Sequence, residues 1–373
     1  MPNTNERLTK AKKGKNDEFY TQYEDIQREV NYYLEYDENT FRDKTVLLPC
    51  DDPEWSNFTK FFAQNFEHLG LKKLISTSYA TESKNQYSEG YQFSISDFLT
   101  DYEKTSPQYD KDLSPVRGKI FTLTRDINES GNIDIDDLEW NYLEGDGDFR
   151  SDEVVSLRDE ADIIVTNPPF SLFKEFVPWI MEANKKCLII GNQNAITNKD
   201  VFKYIKDNKL WLGRGFKRNC AHFINIMYTD DATDLDHREG MIRVSGVMWF
   251  TNLDHGRRHQ PLQLMTKADN EKYSKHDDIR NKGYSKYVNY DALHIPFTDA
   301  IPSDYDGLMG VPITFLDKYN PDQFELIGKS DQLAGEIEID GKIKKNPGRF
   351  YTMTDEGLHR EYERIVIRRK QNG

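Results

Sequence analysis

The stretch from Ala161 to Ala183 constrains this chain most. A strand-like run, Ala161-Asp162-Ile163-Ile164-Val165, apolar but for Asp162, is followed almost at once by Asn167-Pro168-Pro169-Phe170, and then by a helical pattern over 171–183. A short β-branched run without polar alternation is the pattern of a strand covered on both faces. Two consecutive prolines fix φ and lack N–H groups, so the strand must end and the chain must turn there. A covered strand turning tightly into a helix is the repeating unit of an α/β sheet.

The same alternation recurs along the chain. Residues 17–35 place Phe19, Tyr23, Ile26, Val30 and Tyr33 on one helical face. Thr45-Val46-Leu47-Leu48 reads as a short buried strand that ends at Pro49-Cys50-Asp51-Asp52-Pro53. A helix is predicted from Ser56 to His68, carrying Phe58, Phe61, Phe62 and Phe66 and stopped by Gly70. Strands follow at Lys73–Ser78, 139–144 and 186–190, and helices near 151–158 and 199–207. The runs 220–228 and 243–251 read as an antiparallel hairpin at one edge. Residues 80–138 break the rhythm and read as an insertion with a small hairpin around Ile120–Leu123. After about residue 254 the periodicity weakens. The expected architecture is a Rossmann-like α/β domain over 1–253, with a mostly parallel sheet and an antiparallel edge strand, then a smaller module over 254–373.

Composition excludes several classes. Hydrophobic residues make up 37% and charged residues 31%, an ordinary globular balance. No apolar run reaches the length of a membrane span, and the basic start lacks the apolar core of a signal peptide. Cys50, Cys187 and Cys220 form neither an even set nor a CxxC pair, which fits a reducing, cytoplasmic setting rather than a disulfide framework. His237, His255 and His259 have no metal-ligand spacing, so no metal is expected. The net charge of −14 argues superficially against nucleic acid, but 13 acidic and only two basic residues lie between Asp126 and Glu160. The remainder is nearly balanced and leaves room for a local basic face. Candidates are Arg214 with Lys217 and Arg218, Arg257 with Arg258, Lys342, Lys344 and Lys345 with Arg349, and Arg368 with Arg369 and Lys370.

Asn167-Pro168-Pro169-Phe170 carries the chemistry. In open α/β sheets, sites form at the carboxyl ends of strands. The Asn167 side-chain oxygen and the Pro168 carbonyl can each accept one N–H bond from a planar amine. Two acceptors draw its delocalised lone pair out of the ring plane and aim it at an incoming methyl group. Phe170 offers a stacking face, worth about 1–3 kcal/mol per base. Pro49-Cys50-Asp51-Asp52-Pro53 with Ser56 and Asn57 lies at a strand-to-helix turn, where nucleotide-like cofactors bind. There Asp51 could pair with an α-amino group, and a helix cap would use the same residue types. Gly145-Asp146-Gly147-Asp148-Phe149 could hold an adenine, or be a plain turn.

Together with Asp17-Glu18-Phe19-Tyr20-Thr21-Gln22 and Gly310-Val311-Pro312-Ile313-Thr314-Phe315-Leu316-Asp317-Lys318-Tyr319-Asn320-Pro321, these segments resemble the EcoRI-type adenine-specific DNA methyltransferases, over residues from about 17 to 328. The resemblance implies transfer of a methyl group from S-adenosylmethionine to adenine N6. Tyr20 and Thr21 would lie over the cofactor's methionine end. Pro49, Cys50, Asp51 and Ser56 would line its turn, in place of a glycine-rich loop, and Asp148 and Phe149 would hold its adenine. Asn167, Pro168, Pro169 and Phe170 would receive an adenine flipped from double-stranded DNA. The motif order resembles the gamma arrangement, with target recognition after residue 254. The acid that often closes the second strand and holds ribose hydroxyls has no counterpart at Ser76–Tyr79, and Glu82 is the nearest candidate. A monomer is expected, and a cognate restriction endonuclease is a possible partner. The alternatives are a methyltransferase acting on RNA adenine or protein glutamine, or a non-catalytic DNA-binding relative.

Overall fold

The structure, a computed structural model, describes residues 20–54, 56–80, 106, 108–124, 140–216, 220–224 and 241–370, with backbone alone at 20, 220, 222–224 and 241–243. The expected arm at 1–16, Phe19, Glu82, Lys217, Arg218 and most of the expected insertion lie outside the described residues. The chain divides into two compact units, Met1–Ala195 with Gly213–Leu253, and Ile196–Leu212 with Asp254–Gly373.

The first unit begins with β1 (Tyr20–Thr21) and α1 (Tyr23–Leu34). There follow β2 (Thr45–Leu48), α2 (Asn57–Gln64), α3 (Phe66–Leu69) and β3 (Lys73–Thr77). Then come β4 (Lys119–Leu123), β5 (Trp140–Tyr142), α4 (Asp152–Glu160) and β6 (Ile163–Thr166). The unit continues with α5 (Phe173–Glu182), β7 (Lys186–Asn192), β8 (Cys220–Ile224), β9 (Met241–Ser245) and β10 (Val247–Thr251).

Seven of these strands stand side by side in the order β5-β4-β3-β2-β6-β7-β10. The centre is parallel, through the pairs β3–β2, β2–β6 and β6–β7. Both flanks are antiparallel, through β3–β4, β4–β5 and β7–β10. The sheet is therefore mixed, where the sequence pattern pointed to a mostly parallel one. The stretch Ile120–Leu123, expected as a hairpin inside an insertion, is a strand of this sheet. The expected hairpin of 220–228 with 243–251 is also revised. Gly246, at φ +70°, divides the second run: β9 pairs β8, which also pairs β1, in a separate three-stranded sheet, while β10 joins the main one.

Side-chain alternation explains why β2 and β6 are buried at every position. Val46 and Leu48 enter one core with Phe58, Phe61 and Phe62 of α2 and Ile26 and Val30 of α1. Leu47 enters the opposite one with Ile75 and Ala161, against Leu157 of α4 and Trp179 of α5. Each face of the sheet is thus covered by helices. The local signals agree with this packing. The Ser56 hydroxyl caps α2 by accepting from the Phe58 amide at 3.0 Å, Ser151 caps α4, and Gly70 closes α3 in the left-handed region.

Glu29 is a buried carboxylic acid in the first unit, 1% exposed. Its carboxylate accepts from the Tyr33 hydroxyl at 2.9 Å and from the Arg214 and Gly215 amides at 2.8 and 3.2 Å. Burial pushes its carboxyl from 4.5 up to about 7, against those donors. The folded protein therefore holds a proton between pH 4.5 and 7 that the unfolded chain releases. The associated stability is full below pH 4.5 and is lost as pH rises through 7, by up to about 3 kcal/mol. Denaturant unfolding at pH 5 and pH 7.5 should show wild type losing stability relative to Glu29→Gln across this window. Equal losses in both proteins would refute it.

The second unit is built on α6 (Lys199–Lys206) and a four-stranded sheet. Its strands are β11 (Leu293–His294), β12 (Met309–Pro312), β13 (Phe324–Lys329) and β14 (Arg364–Arg369), in the order β11-β12-β14-β13. Met309, Val311, Phe315, Phe324, Val366 and Ile367 are fully buried. Two hairpins, Ile337–Ile339 with Lys342–Lys344 and Tyr351–Thr354 with Gly357–Arg360, connect β13 to β14. Lys342, Lys344 and Lys345 are exposed. Arg258, by contrast, is 7% exposed with its guanidinium 3.4 Å from the Trp211 ring centroid, and Arg257 bonds Asp317 at 2.6 Å. Both arginines are engaged by side chains of this unit. Among the described residues, no helix is long and apolar enough to cross a membrane.

Candidate active site

Strand order places the site. From β2 the chain passes to β3 on one side, and later returns through β6 on the other side and on to β7. The connections diverge between β2 and β6, and such a divergence opens a crevice at the carboxyl ends of the strands. β2 ends there in Pro49-Cys50-Asp51, and β6 ends in Asn167-Pro168-Pro169-Phe170.

Asp51 is 5% exposed and is held on every side. One carboxylate oxygen accepts from the Ser56 hydroxyl at 2.6 Å, the other from the Thr166 hydroxyl at 2.5 Å. Its amide donates to the Thr77 carbonyl at 3.0 Å. Its carbonyl accepts from the Ser76 hydroxyl at 2.5 Å, which is itself 2.7 Å from the Thr59 hydroxyl. Burial pushes the Asp51 carboxyl from 3.8 up to about 7. The Ser56 and Thr166 hydroxyls act against that, and the neighbouring Asp52 adds to it. Pro49 is buried, and its carbonyl accepts from the Thr77 hydroxyl at 3.2 Å; Cys50 is half-buried. The turn is also gripped from β4, where Lys119 reaches Asp52 at 3.3 Å and Glu54 at 2.8 Å.

On the neighbouring strand end, the Asn167 amide nitrogen donates to the Thr21 hydroxyl at 3.4 Å. Thr21 is 4% exposed, and its carbonyl accepts from the Asn57 side chain at 2.7 Å. The short strand β1 is thereby tied both to the start of α2 and to the Asn-Pro-Pro motif. The backbone of Tyr20 lies beside it, paired with Ile224. Pro168 is buried, the Pro169 carbonyl accepts from the Leu172 amide, and Phe170 packs partly against the first core.

The third turn packs on the end of β3. Gly147 has φ +82°, and a Cβ there would lie 2.2 Å from the Ser78 carbonyl oxygen. Only glycine satisfies both conditions. The Glu153 carboxylate ties down the Glu144 and Gly145 amides, each at 3.0 Å. Asp148 is gripped by Arg150 through Nε at 2.9 Å and Nη2 at 2.6 Å, and by the Tyr79 hydroxyl at 3.2 Å. Burial raises its carboxyl, but the Arg150 bonds and charge outweigh burial and bring it below its ordinary value. Phe149 is 5% exposed, its ring edge-on to Phe176 at 5.1 Å and Trp179 at 5.5 Å. This ring, which the sequence reading set beside the cofactor's adenine, belongs to an aromatic cluster beneath the turn.

Thr21, Asp51, Ser56 and Asn167 are therefore brought together, and Asp148 lies on the adjoining turn beyond β3. Thr166 and Ser76 were not singled out from the sequence as site residues. Their signals were slight: Thr166 immediately precedes the Asn-Pro-Pro motif, and Ser76-Thr77-Ser78 is a hydroxyl run closing an apolar strand.

Similarity to known proteins points the same way. The family described as "Adenine-specific methyltransferase EcoRI" matches residues 7–370. The chain belongs to this family. As a member it is an enzyme, an adenine-specific methyltransferase. The Escherichia coli protein named Type II methyltransferase M.EcoRI is 43% identical over 328 residues, 87% of this chain and 89% of that protein. Type II methyltransferase M.MpnI of Mycoplasma pneumoniae is 33% identical over 376 residues, 98% of each chain. Type II methyltransferase M.MgeORF184P of Mycoplasma genitalium is 32% identical over 375 residues, 98% of this chain and 99% of that one. No solved structure matches the chain significantly.

Proposed function

We propose that the chain transfers the methyl group of S-adenosylmethionine to the N6 amine of an adenine flipped out of duplex DNA. The juxtaposition of Asp51 and Asn167, joined through the Thr166 hydroxyl at 2.5 Å from Asp51, carries this reading. It sets a carboxylate suited to an α-ammonium beside a side chain suited to a planar amine. The parallel centre of the sheet, diverging between β2 and β6, supports a Rossmann-like cofactor domain.

The donor set fits the cofactor. Asp51 would hold its ammonium, flanked by Pro49, Cys50 and Ser56, with Tyr20 and Thr21 over the methionine end. Asp148 would face its adenine, with Phe149 supporting the turn from below. When bound, S-adenosylmethionine supplies an electrophilic methyl group on a sulfonium. The Asn167 oxygen and the Pro168 carbonyl accept the two N–H bonds of the target amine and make its lone pair available. Pro169 fixes the turn so that this carbonyl stays inward, and Phe170 stacks on the base. Unpairing the base costs a few kcal/mol, offset by these contacts.

Residues 254–373 are the target-recognition module in this reading, and the exposed Lys342, Lys344 and Lys345 suit phosphate contacts. Double-stranded DNA is the substrate, the enzyme acts as a monomer, and a restriction endonuclease of the same site is the expected companion. The test is incubation with labelled S-adenosylmethionine and unmethylated duplex DNA, digestion to nucleosides, and mass spectrometry. N6-methyladenine is expected. Label appearing only in RNA or protein would overturn the assignment.

A further inference from the structure

The acceptor motif is preceded by a residue to which neither the family resemblance nor the motif assigns a role. Thr166 is the last residue of β6 and is fully buried. Its hydroxyl donates to the Asp51 carboxylate from 115 residues further along the chain. The remaining supports of Asp51 are all local to β2, β3 and α2: Ser56 on the other carboxylate oxygen, and Thr77 and Ser76 on its backbone. Thr166 is thus the donor from the far side of the crevice. Two hydroxyl donors, one per oxygen, fix the rotation of the carboxylate and leave lone pairs on both oxygens for an incoming cation.

We propose that Thr166 is a positioning residue for the cofactor, holding the Asp51 carboxylate in the orientation that receives the ammonium of S-adenosylmethionine. The proposal rests on the assignment of Asp51 to cofactor binding. The charges around Asp51 are few: Asp52 follows it, and Lys119 from β4 is engaged by Asp52 and Glu54. A hydroxyl donor to a carboxylate stabilises the ionised form, so its loss both frees the rotation of Asp51 and makes ionisation harder.

The experiment compares Thr166→Val, which keeps the shape and removes the donor, with Thr166→Ser, which keeps the donor. Thr166→Val should raise KM for S-adenosylmethionine about tenfold at pH 7.5 and move the midpoint of its pH dependence upward. Its kcat at saturating cofactor should change less than about threefold. Thr166→Ser should restore KM and midpoint. In an Asp51→Asn background, Thr166→Val should add less than about twofold, because no carboxylate remains to be held. Should Thr166→Val fail to fold, Thr166→Ala against Thr166→Ser carries the same contrast. A wild-type KM and pH midpoint in the variant lacking the hydroxyl, or an equal effect in the Asp51→Asn background, would overturn the proposal. Unchanged cofactor affinity in Asp51→Ala would instead remove the reading on which it rests.

Discussion

Asn167→Ala is expected to lower methyl transfer to DNA by about 10²–10³-fold or more, the cost of removing one preorganised group that acts on the reacting centre. S-adenosylmethionine affinity should stay within a few-fold of wild type. Asn167 bonds Thr21 through its amide nitrogen at 3.4 Å. That bond orients the carboxamide, and in the proposed mechanism its oxygen accepts from the target amine. The Pro168 carbonyl alone then supplies one acceptor where two are needed, so the lone pair stays in the ring. Because Asn167 is proposed to touch the acceptor amine and not the sulfonium, the loss belongs in kcat. Calorimetry measures the cofactor and single-turnover methylation measures the chemistry. Near-normal turnover in the variant would refute the assignment.

Cofactor binding should depend on pH with a sign that Asp51 dictates. Its carboxyl sits at about 7 in the folded protein. An ammonium requires the carboxylate, so binding below pH 7 must expel a proton. Affinity for S-adenosylmethionine is therefore expected to fall by up to about tenfold per pH unit below 7 and to level off above it. The free enzyme shows the converse. The raised carboxyl contributes stability that is full below 3.8 and is lost as pH rises through 7. Asp51→Ala should weaken binding at pH 8 by about 10²-fold, the scale of losing a charged hydrogen-bonded partner, and flatten the pH dependence. Titrations from pH 5.5 to 8.5, in two buffers of different ionisation enthalpy, report both affinity and proton release. A pH-independent affinity in wild type would remove Asp51 from the site.

The strands and helices that build the crevice were legible because each reports its own environment. Thr45–Leu48 and Ile163–Thr166 are buried at every position because both faces of the sheet are covered, and a run whose one polar member is a threonine says so by itself. The phenylalanines of α2 repeat at helical spacing, and Ser56 and Gly70 mark the start of α2 and the close of α3. What failed was pairing. Ile120–Leu123 alternates in burial as an edge strand does, but nothing local says that its partners are β3 and β5. The run 243–251 gave no warning that Gly246 would send its halves into different sheets, because a positive φ is open to any glycine and required of few.

The sequence by itself determined the α/β class, the turn that must carry the chemistry and, through its motifs, the family, since these depend on residue types at short spacing. Only the tertiary structure decided that Asp51 and Thr166 would share a hydrogen bond across 115 residues, that Phe149 would lie inside an aromatic cluster, and that Ile196–Leu212 would fold with the second unit. Each of these depends on which strand lies beside which. That choice is settled by how whole faces of the sheet are covered, which no short window of sequence encodes.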